Sequence, residues 1–539
     1  MAAKPLLAKS YGVSLLGLAG TVVEVESEIS STLPGFVLVG LPDASLSEAK
    51  DRVRAAIHNS GMKMPDRRVT VNLSPASVRK QGSSFDLAIA VSVMAAAKVM
   101  SAKSISGWVH LGELGLDGSV RRINGILPSL LVAKSAGLTS AIVPAANLAE
   151  AALVDGMQVI GVHHFREVAR LHGVDLAGDD PEPTLELKNG KVRELVTDAK
   201  SFLQLDMSDV HGQAEAVDAM TVAAAGGHHL LMVGPPGAGK TMMAERLTSI
   251  LPDMNIQDAL ETTAVLSVSG NRNIAGDSLV MRPPFEAPHH SASVSSLVGG
   301  GLGMPRPGVI SLANNGVLFL DEAPEFQKPV LEALRQPLES GEVVINRSGG
   351  TAKFPAKFQL VLAANPCPCG NAYGTGRQCR CSDQQRTKYL NKLSGPLLDR
   401  VDIRLSINAA SPAQMALARE NGGTQFSSIE LRERVVAARK LAAKRLQGTP
   451  WSVNAQVPGA YLRKKLPLTA ESLVKLETAL SRGLISMRGF DRCLRLAWSN
   501  ADLAGRETPN HFDVAKAIYL RGPEDLLAKQ ISKAGESNE

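Results

Sequence analysis

HHLLMVGPPGAGKTMMAERLTSIL, residues 228–251, is the stretch that decides the fold. An apolar run, Leu230–Val233, meets the octet Gly234, Pro235, Pro236, Gly237, Ala238, Gly239, Lys240, Thr241, and a helix-forming stretch follows. Strand, glycine loop and helix form the context in which G-x-x-x-x-G-K-[ST] cradles phosphates. The glycines let successive backbone N–H groups curl around an anion, and the helix start adds the positive end of its dipole. In that geometry Lys240 reaches the β- and γ-phosphates, and the Thr241 hydroxyl binds Mg²⁺. A Gly-rich turn that merely precedes a helix would not need Lys-Thr in register. The octet predicts an ATP site with Mg²⁺, set in an α/β core.

Three further segments extend the site. GVLFLDEAPEF, 316–326, is an apolar strand that ends in Asp321-Glu322. Asp321 is placed to complete the Mg²⁺ shell and Glu322 to polarise an attacking water. FQLVLAANP, 358–366, is a strand ending at Asn365, which can orient that water. SGPLLDRVDIRL, 394–405, carries Arg400. An arginine there reads as a finger toward a neighbouring subunit's ATP, worth about 10³–10⁵ in rate, or as a salt bridge to Asp399 or Asp402. Arg488, in SMRGFDR, reads equally as a cover for the same phosphates or as a solvated surface arginine.

The bulk numbers set bounds on these readings. A chain of 539 residues is a soft prior for three or four domains, and 44% hydrophobic with 20% charged residues is an ordinary globular composition. The longest apolar stretch, FDLAIAVSVMAAAKVM at 85–100, contains Asp86 and Lys98, which argues against a membrane span. The start, MAAKPLLAKSYGVS, has no signal-peptide pattern, so the cytoplasm is the expected compartment. A net charge of +6 suits phosphate-bearing partners without requiring them.

Residues 1–177 alternate strand and helix patterns. They include strands TVVEVESEI, GFVLVGLP and RRVTVNL, a helix after a capping box at Ser45–Glu48, and a hairpin turning at Asp117-Gly118. The acidic, proline-bearing stretch 178–190 reads as a linker. A second α/β domain covers 191–407, and 408–539 is helical.

Four of the five cysteines, Cys367, Cys369, Cys379 and Cys381, stand as C-x-C-x₉-C-x-C. Four thiolates can close a tetrahedral Zn²⁺ site at Zn–S distances of about 2.3 Å, and a filled site of that kind is structural. A loop without metal and an iron–sulfur cluster are the alternatives. Cys493 reads as plain core packing.

Taken together, P-loop, Asp-Glu strand, Asn, Arg and helical lid resemble an AAA+ ATPase. The segment 282–322, with F-x-x-P-H-H-S and G-G-G…P-R-P-G, resembles the magnesium-chelatase subunit I class. The domain order and the N-P-C-P-C-G block at 365–370 are similar to the ComM/YifB family over nearly the whole chain. That resemblance implies a ring-forming, hexameric, ATP-driven motor on single-stranded or branched DNA. It implies a branch-migration helicase of natural transformation and homologous recombination, with recombination proteins as possible partners. It also carries the ATPase roles to Lys240, Thr241, Asp321, Glu322, Asn365, Arg400 and, as a second sensor, Arg488. A chelatase ATPase and a protein-remodelling ATPase are the competing readings.

The N-terminal domain resembles Lon-type proteases. RKQGSSFDLAIA places Ser84 at the nucleophile position, and GELGLDGSVRRINGILPSLLVAKSAG places Leu127 where the lysine base belongs. Lys134 lies two helical turns further, about 10 Å away. A serine without an adjacent base is a weak nucleophile, so the domain is expected to be non-proteolytic. For DNA, phosphate contacts matter more than base contacts. The candidates are His289 and His290, then Arg347, Lys353 and Lys357 on a hairpin, then Arg439, Lys440, Lys444 and Arg445. Each also reads as ordinary solvated charge. The histidines are alternatively a metal pair, although no third ligand lies nearby in the sequence. Only 4% of residues are aromatic, which leaves little for base stacking.

Overall fold

The strand that feeds the P-loop lies inside a five-stranded parallel sheet. The structure is a computed structural model that describes residues 6–40, 48–78, 80, 82–176, 185–187, 205–270, 279–301, 305–347, 350–373, 378–408 and 427–522. Leu230–Val233 pairs with Gln359–Ala364 on one side and Ile403–Ser406 on the other. Val317–Leu320 and then Phe285–Glu286 continue the sheet beyond Gln359–Ala364. Every residue of LLMV, VLFL and QLVLAA is buried, as strands covered on both faces must be. The carboxyl end of Leu230–Val233 opens where the strand order reverses, the usual crevice for a ligand in an open α/β sheet.

The N-terminal sheet is mixed and eight-stranded. Its centre is a long antiparallel pair, Leu6–Leu16 with Ala19–Ser30. The first of these strands is not apparent in the sequence. Its inward positions are Ala8, Ser10 and Gly12, because the helix Asp86–Ala96 lies directly against it. A Cβ on Gly12 would come within 2.8 Å of the Phe85 ring. Close approach of helix to sheet selects small residues, and that erases the hydrophobic alternation that marks a strand. Asp86–Ala96 is buried throughout, as its composition predicts. The hairpin at 117–118 forms, with Glu113–Leu114 paired to Val120–Arg121. Ser45 of the expected capping box lies outside the described residues, and Glu48 precedes the helix Ala49–Asn59 without a side-chain cap. Within the expected linker, Leu185–Leu187 instead adds an antiparallel edge strand beside Gln158–Val162. The Leu-Glu-Leu alternation carried that signal beneath the neighbouring prolines and acids.

The C-terminal region is helical. Ser428–Arg445, Ala470–Ser481, Met487–Leu503 and His511–Arg521 pack on one another and on Ala214–Gly226, the helix before the P-loop strand. Cys493 is fully buried among them, as core packing predicts.

The N-terminal sheet is also seated on the ATPase core. Gly17 bridges to Lys353, and Leu15, Leu16 and Leu18 join the apolar cluster of Val343, Ile345, Ala352 and Phe354. A second shared cluster holds Leu127 and Leu130 together with Met254, Ala259 and Ala264. Buried Glu150 accepts hydrogen bonds from Leu127 N (2.9 Å), from Asn147 Nδ2 (3.2 Å) and from the hydroxyl of Ser267 on the core helix Ile256–Ser269.

Candidate nucleotide site

The P-loop is built as its sequence demands. Gly237 and Gly239 adopt φ of 76° and 81°, a region that favours glycine, and nothing stands within 4 Å of a Cβ placed on Gly237. That open face over the loop suits a phosphate chain. Lys240 opens the following helix and folds back over the loop. Its Nζ donates to Gly234 O (2.7 Å), Pro235 O (2.9 Å) and Asn365 Oδ1 (3.1 Å). Burial lowers its pKa, while Asp321 and Glu322 pull the other way. Thr241 donates to Asp321 Oδ2 at 2.6 Å, so the two expected Mg²⁺ ligands already touch. Asp321 Oδ1 accepts the Glu322 N–H at 2.9 Å, and Glu322 takes φ 48°, left-handed for a non-glycine residue. Such backbone strain persists only where the surroundings enforce it. Five of the expected residues, Lys240, Thr241, Asp321, Glu322 and Asn365, thus meet at one crevice.

The two arginines lie elsewhere. Arg400 pairs with Glu339 and donates to Pro396 O, so neither Asp399 nor Asp402 is its partner. Asp399 instead receives Arg488, and Asp402 receives Arg492, one helical turn further along the lid. The Arg488 side chain is 76% exposed even while paired with Asp399, whereas the Arg400 side chain is 16% exposed. Asp402 is fully buried and also hydrogen-bonds His228, which reaches Ser499 on the lid. Burial opposes its charge, but Arg492 and His228 hold its carboxyl well below the usual range. This clasp between lid and core was not foreseen, because its members are scattered from residue 228 to residue 499.

The four cysteines converge. Cys367 Sγ lies 3.4 Å from Cys369 Sγ and 3.6 Å from Cys379 Sγ, with Cys369 and Cys379 3.7 Å apart. All four sulfurs lie within 4.8 Å of one another. A tetrahedral ZnS₄ centre with bonds of about 2.3 Å needs sulfurs about 3.8 Å apart, so the spacing fits. Burial raises the Cys367 pKa to about 12. Burial also opposes ionisation of Cys369, but the Asn371 and Arg380 N–H groups and the neighbouring thiols bring it down to about 6. Among the described residues this is the one cluster suited to a metal ion, and His289 with His290 is not part of it. The loop also touches the P-loop: a Cβ on Gly370, which has φ 78°, would lie 2.6 Å from the Pro236 ring.

The expected DNA residues divide. Arg439 donates twice to Ala224 O, and burial lowers its pKa to about 10. Arg445 forms a bidentate pair with Asp502 and stacks over Trp498 at 4.2 Å. Both serve packing between helices, which corrects their reading as DNA contacts. Lys353 pairs with Glu342 and Lys357 with Glu261. Lys440 and Lys444 are exposed. Arg347 is exposed at the end of Glu342–Arg347 and lies over Gly300, whose ribbon partner is the exposed Arg306. Arg306 was missed because it sits inside a Pro-Arg-Pro motif read only as a family block. On the N-terminal helix Ile126–Ser135, Lys134 donates to Asp155 O and Leu127 is fully buried.

Sheet, P-loop, acidic strand and lid together define an AAA+ ATPase of the magnesium-chelatase type. Residues 206–415 match the family described as magnesium chelatase, subunit ChlI. Residues 25–147 match subunit ChlI of Mg-chelatase, and 425–521 match the subunit's C-terminal family. The chain is 46% identical to an uncharacterized protein of Mycobacterium tuberculosis over 518 residues, 96% of this chain and 98% of that one. It is 39% identical to competence protein ComM of Haemophilus influenzae over 523 residues, 97% of this chain and 99% of ComM. It is 38% identical to YifB of Escherichia coli over 513 residues, 95% and 96% of the two chains. The chain belongs to the ComM/YifB family. Among the described residues no helix is long and apolar enough to cross a membrane.

Proposed function

We propose that this protein is a cytoplasmic ATP-driven motor that forms a hexameric ring on single-stranded or branched DNA. In this reading it promotes branch migration during natural transformation and homologous recombination, alongside recombination proteins. The observation that carries the reading is an assembled ATPase crevice in a chain similar to competence protein ComM along almost its whole length.

The ring gives each expected residue its task. The octet Gly234 to Thr241 holds ATP, Thr241 and Asp321 hold Mg²⁺, Glu322 is the base and Asn365 orients the water. Arg400 leaves Glu339 to reach the neighbouring subunit's ATP, and Arg488 leaves Asp399 as the second sensor. Bound Mg²⁺ supplies charge neutralisation at the phosphates. Cys367, Cys369, Cys379 and Cys381 hold a structural Zn²⁺ that braces the P-loop through Gly370. Arg306 and Arg347 supply phosphate contacts, since neither has a carboxylate partner among the described residues. The domain 1–177 is non-proteolytic, and its Leu127 serves the seam with the core.

The test is ATPase rate with and without single-stranded or branched DNA, with Glu322→Gln as control. Stimulation by DNA, abolished in Glu322→Gln, supports the motor. Neither stimulation nor binding at low salt would sink it and favour a protein-remodelling ATPase.

A further inference from the structure

The chain leaves the core sheet at Asn365 and then comes back to that same residue. Beyond Gln359–Ala364 it runs through Cys367 and Gly370. It returns in the helix Asp383–Leu390, which Ser382 and Gln385 open with a reciprocal cap. Tyr389, in the last turn of that helix, is buried, and its hydroxyl oxygen accepts the Asn365 N–H. Burial first, then the nearby Glu325 and Glu322 carboxylates, raise the pKa of this phenol, so it stays neutral. Lys392, just past the helix, lies 5.7 Å from the centre of the Tyr389 ring and 3.5 Å from Glu325. The Glu325 N–H in turn donates to Glu322 O at 2.7 Å. One helix end therefore meets both strand exits that carry expected ATPase residues.

We propose that Tyr389 is a positioning residue for Asn365. Asn365 is held twice, at its side chain by Lys240, 3.1 Å away, and at its backbone by Tyr389. A bound phosphate chain draws the P-loop lysine to itself, and the hold on the carboxamide is then released. The hold on the peptide remains. Tyr389 thus fixes the point from which the Asn365 carboxamide reaches the attacking water. It acts through Asn365 and touches no reacting atom. The inference rests on the ATPase reading and not on DNA as the substrate.

Basal ATP hydrolysis without DNA tests it in wild type, Tyr389→Phe, Asn365→Ala, the double variant of these two, and Glu322→Gln. Phenylalanine keeps the ring, its packing and its contact with Lys392, and removes only the hydroxyl. A role in packing alone would therefore leave kcat unchanged. Loss of the acceptor for one N–H predicts that Tyr389→Phe lowers kcat by about tenfold. KM and the affinity for a fluorescent ATP analogue stay at the wild-type value. On the Asn365→Ala background Tyr389→Phe adds no further loss, because both changes act through one residue. Unchanged kcat in Tyr389→Phe, a fall in analogue affinity that matches the fall in rate, or additive losses in the double variant would each overturn the inference and leave the ATPase reading standing. Equal hydrolysis by wild type and Glu322→Gln would instead remove the ATPase reading, and the inference with it. Analogue binding and thermal melting show that each variant is folded.

Discussion

Lys240 Nζ lies 3.1 Å from Asn365 Oδ1, a contact that joins the P-loop to the tip of the neighbouring parallel strand. In this arrangement the Lys240 ammonium donates to two loop carbonyls and to Asn365 together, and phosphate oxygens compete with these acceptors for it. The two residues then have separable effects. Lys240→Ala abolishes tight ATP binding, measured by titration of a fluorescent analogue. Asn365→Ala keeps that binding and lowers kcat by about a hundredfold, the scale for losing one preorganised dipole at a reacting centre.

The cysteine loop has a mechanical consequence for ATP. Protein purified without chelator is expected to carry one zinc per chain by elemental analysis, and Cys369→Ser to lose it. Gly370 gives a finer probe. With φ 78° and the Pro236 ring 2.6 Å from its would-be Cβ, Gly370→Ala adds a left-handed backbone penalty of about 1–2 kcal/mol and displaces the P-loop. ATP affinity therefore falls while zinc content stays at one. Less than half an equivalent of zinc in the wild type, or unchanged ATP affinity in Gly370→Ala, would remove the brace.

The site was legible in the sequence where chemistry is local. The octet 234–241, the Asp321-Glu322 exit and Asn365 each follow an apolar strand, and parallel pairing of those strands is enough to gather them. The cysteine cluster was legible for the same reason, since its ligands lie within one loop. What was hidden depends on long-range approach. Gly12 belongs to a strand through its pairing with Val23, and the Phe85 ring against it leaves no room for the apolar side chain that would have marked the strand. Arg439 and Arg445 sit in a basic run, and only the packed helices show that Ala224 and Asp502 consume them. His290 resembled a loop residue until the pairing of Glu286 with Leu318 placed it 3.6 Å from Glu322.

The seam between the N-terminal sheet and the core rests on Glu150. Its carboxylate satisfies Leu127 N, Asn147 and Ser267 at once. Glu150→Ala leaves Leu127 N and the Ser267 hydroxyl without this acceptor, at about 1–3 kcal/mol each, while Asn147 keeps its bond to Ile123 O. The expected readout is a lower Tm and faster hydrogen exchange in 256–269, with the P-loop strand Leu230–Val233 still protected. Leu127→Lys would restore the residue type of a Lon base, but it puts an ammonium into the apolar cluster shared with Met254 and Ala264. It is expected to lose stability and gain no peptidase activity. Labelling of Ser84 by a serine-reactive probe would contradict this.

A buried histidine chain makes stability depend on pH. Ser10, His110, His172 and Ser104 are linked by contacts of 2.9, 3.0 and 3.2 Å. Burial lowers His172 to about 4, and burial with the neighbouring imidazole takes His110 well below its usual value. The folded chain keeps both rings neutral, whereas in the unfolded chain they take up protons near pH 6.5. The unfolded state therefore binds more protons between pH 6.5 and about 4, and stability falls as pH drops through that window. Each such histidine contributes a slope of about 1.4 kcal/mol per pH unit. Half-buried His229, also lowered to about 4 by desolvation, adds to the slope. His172→Gln removes one histidine's share, so its Tm falls less steeply than the wild type's from pH 6.5 to 4.5. Equal slopes for the two proteins would mean that His172 titrates alike in both states and that the chain is not held neutral by burial.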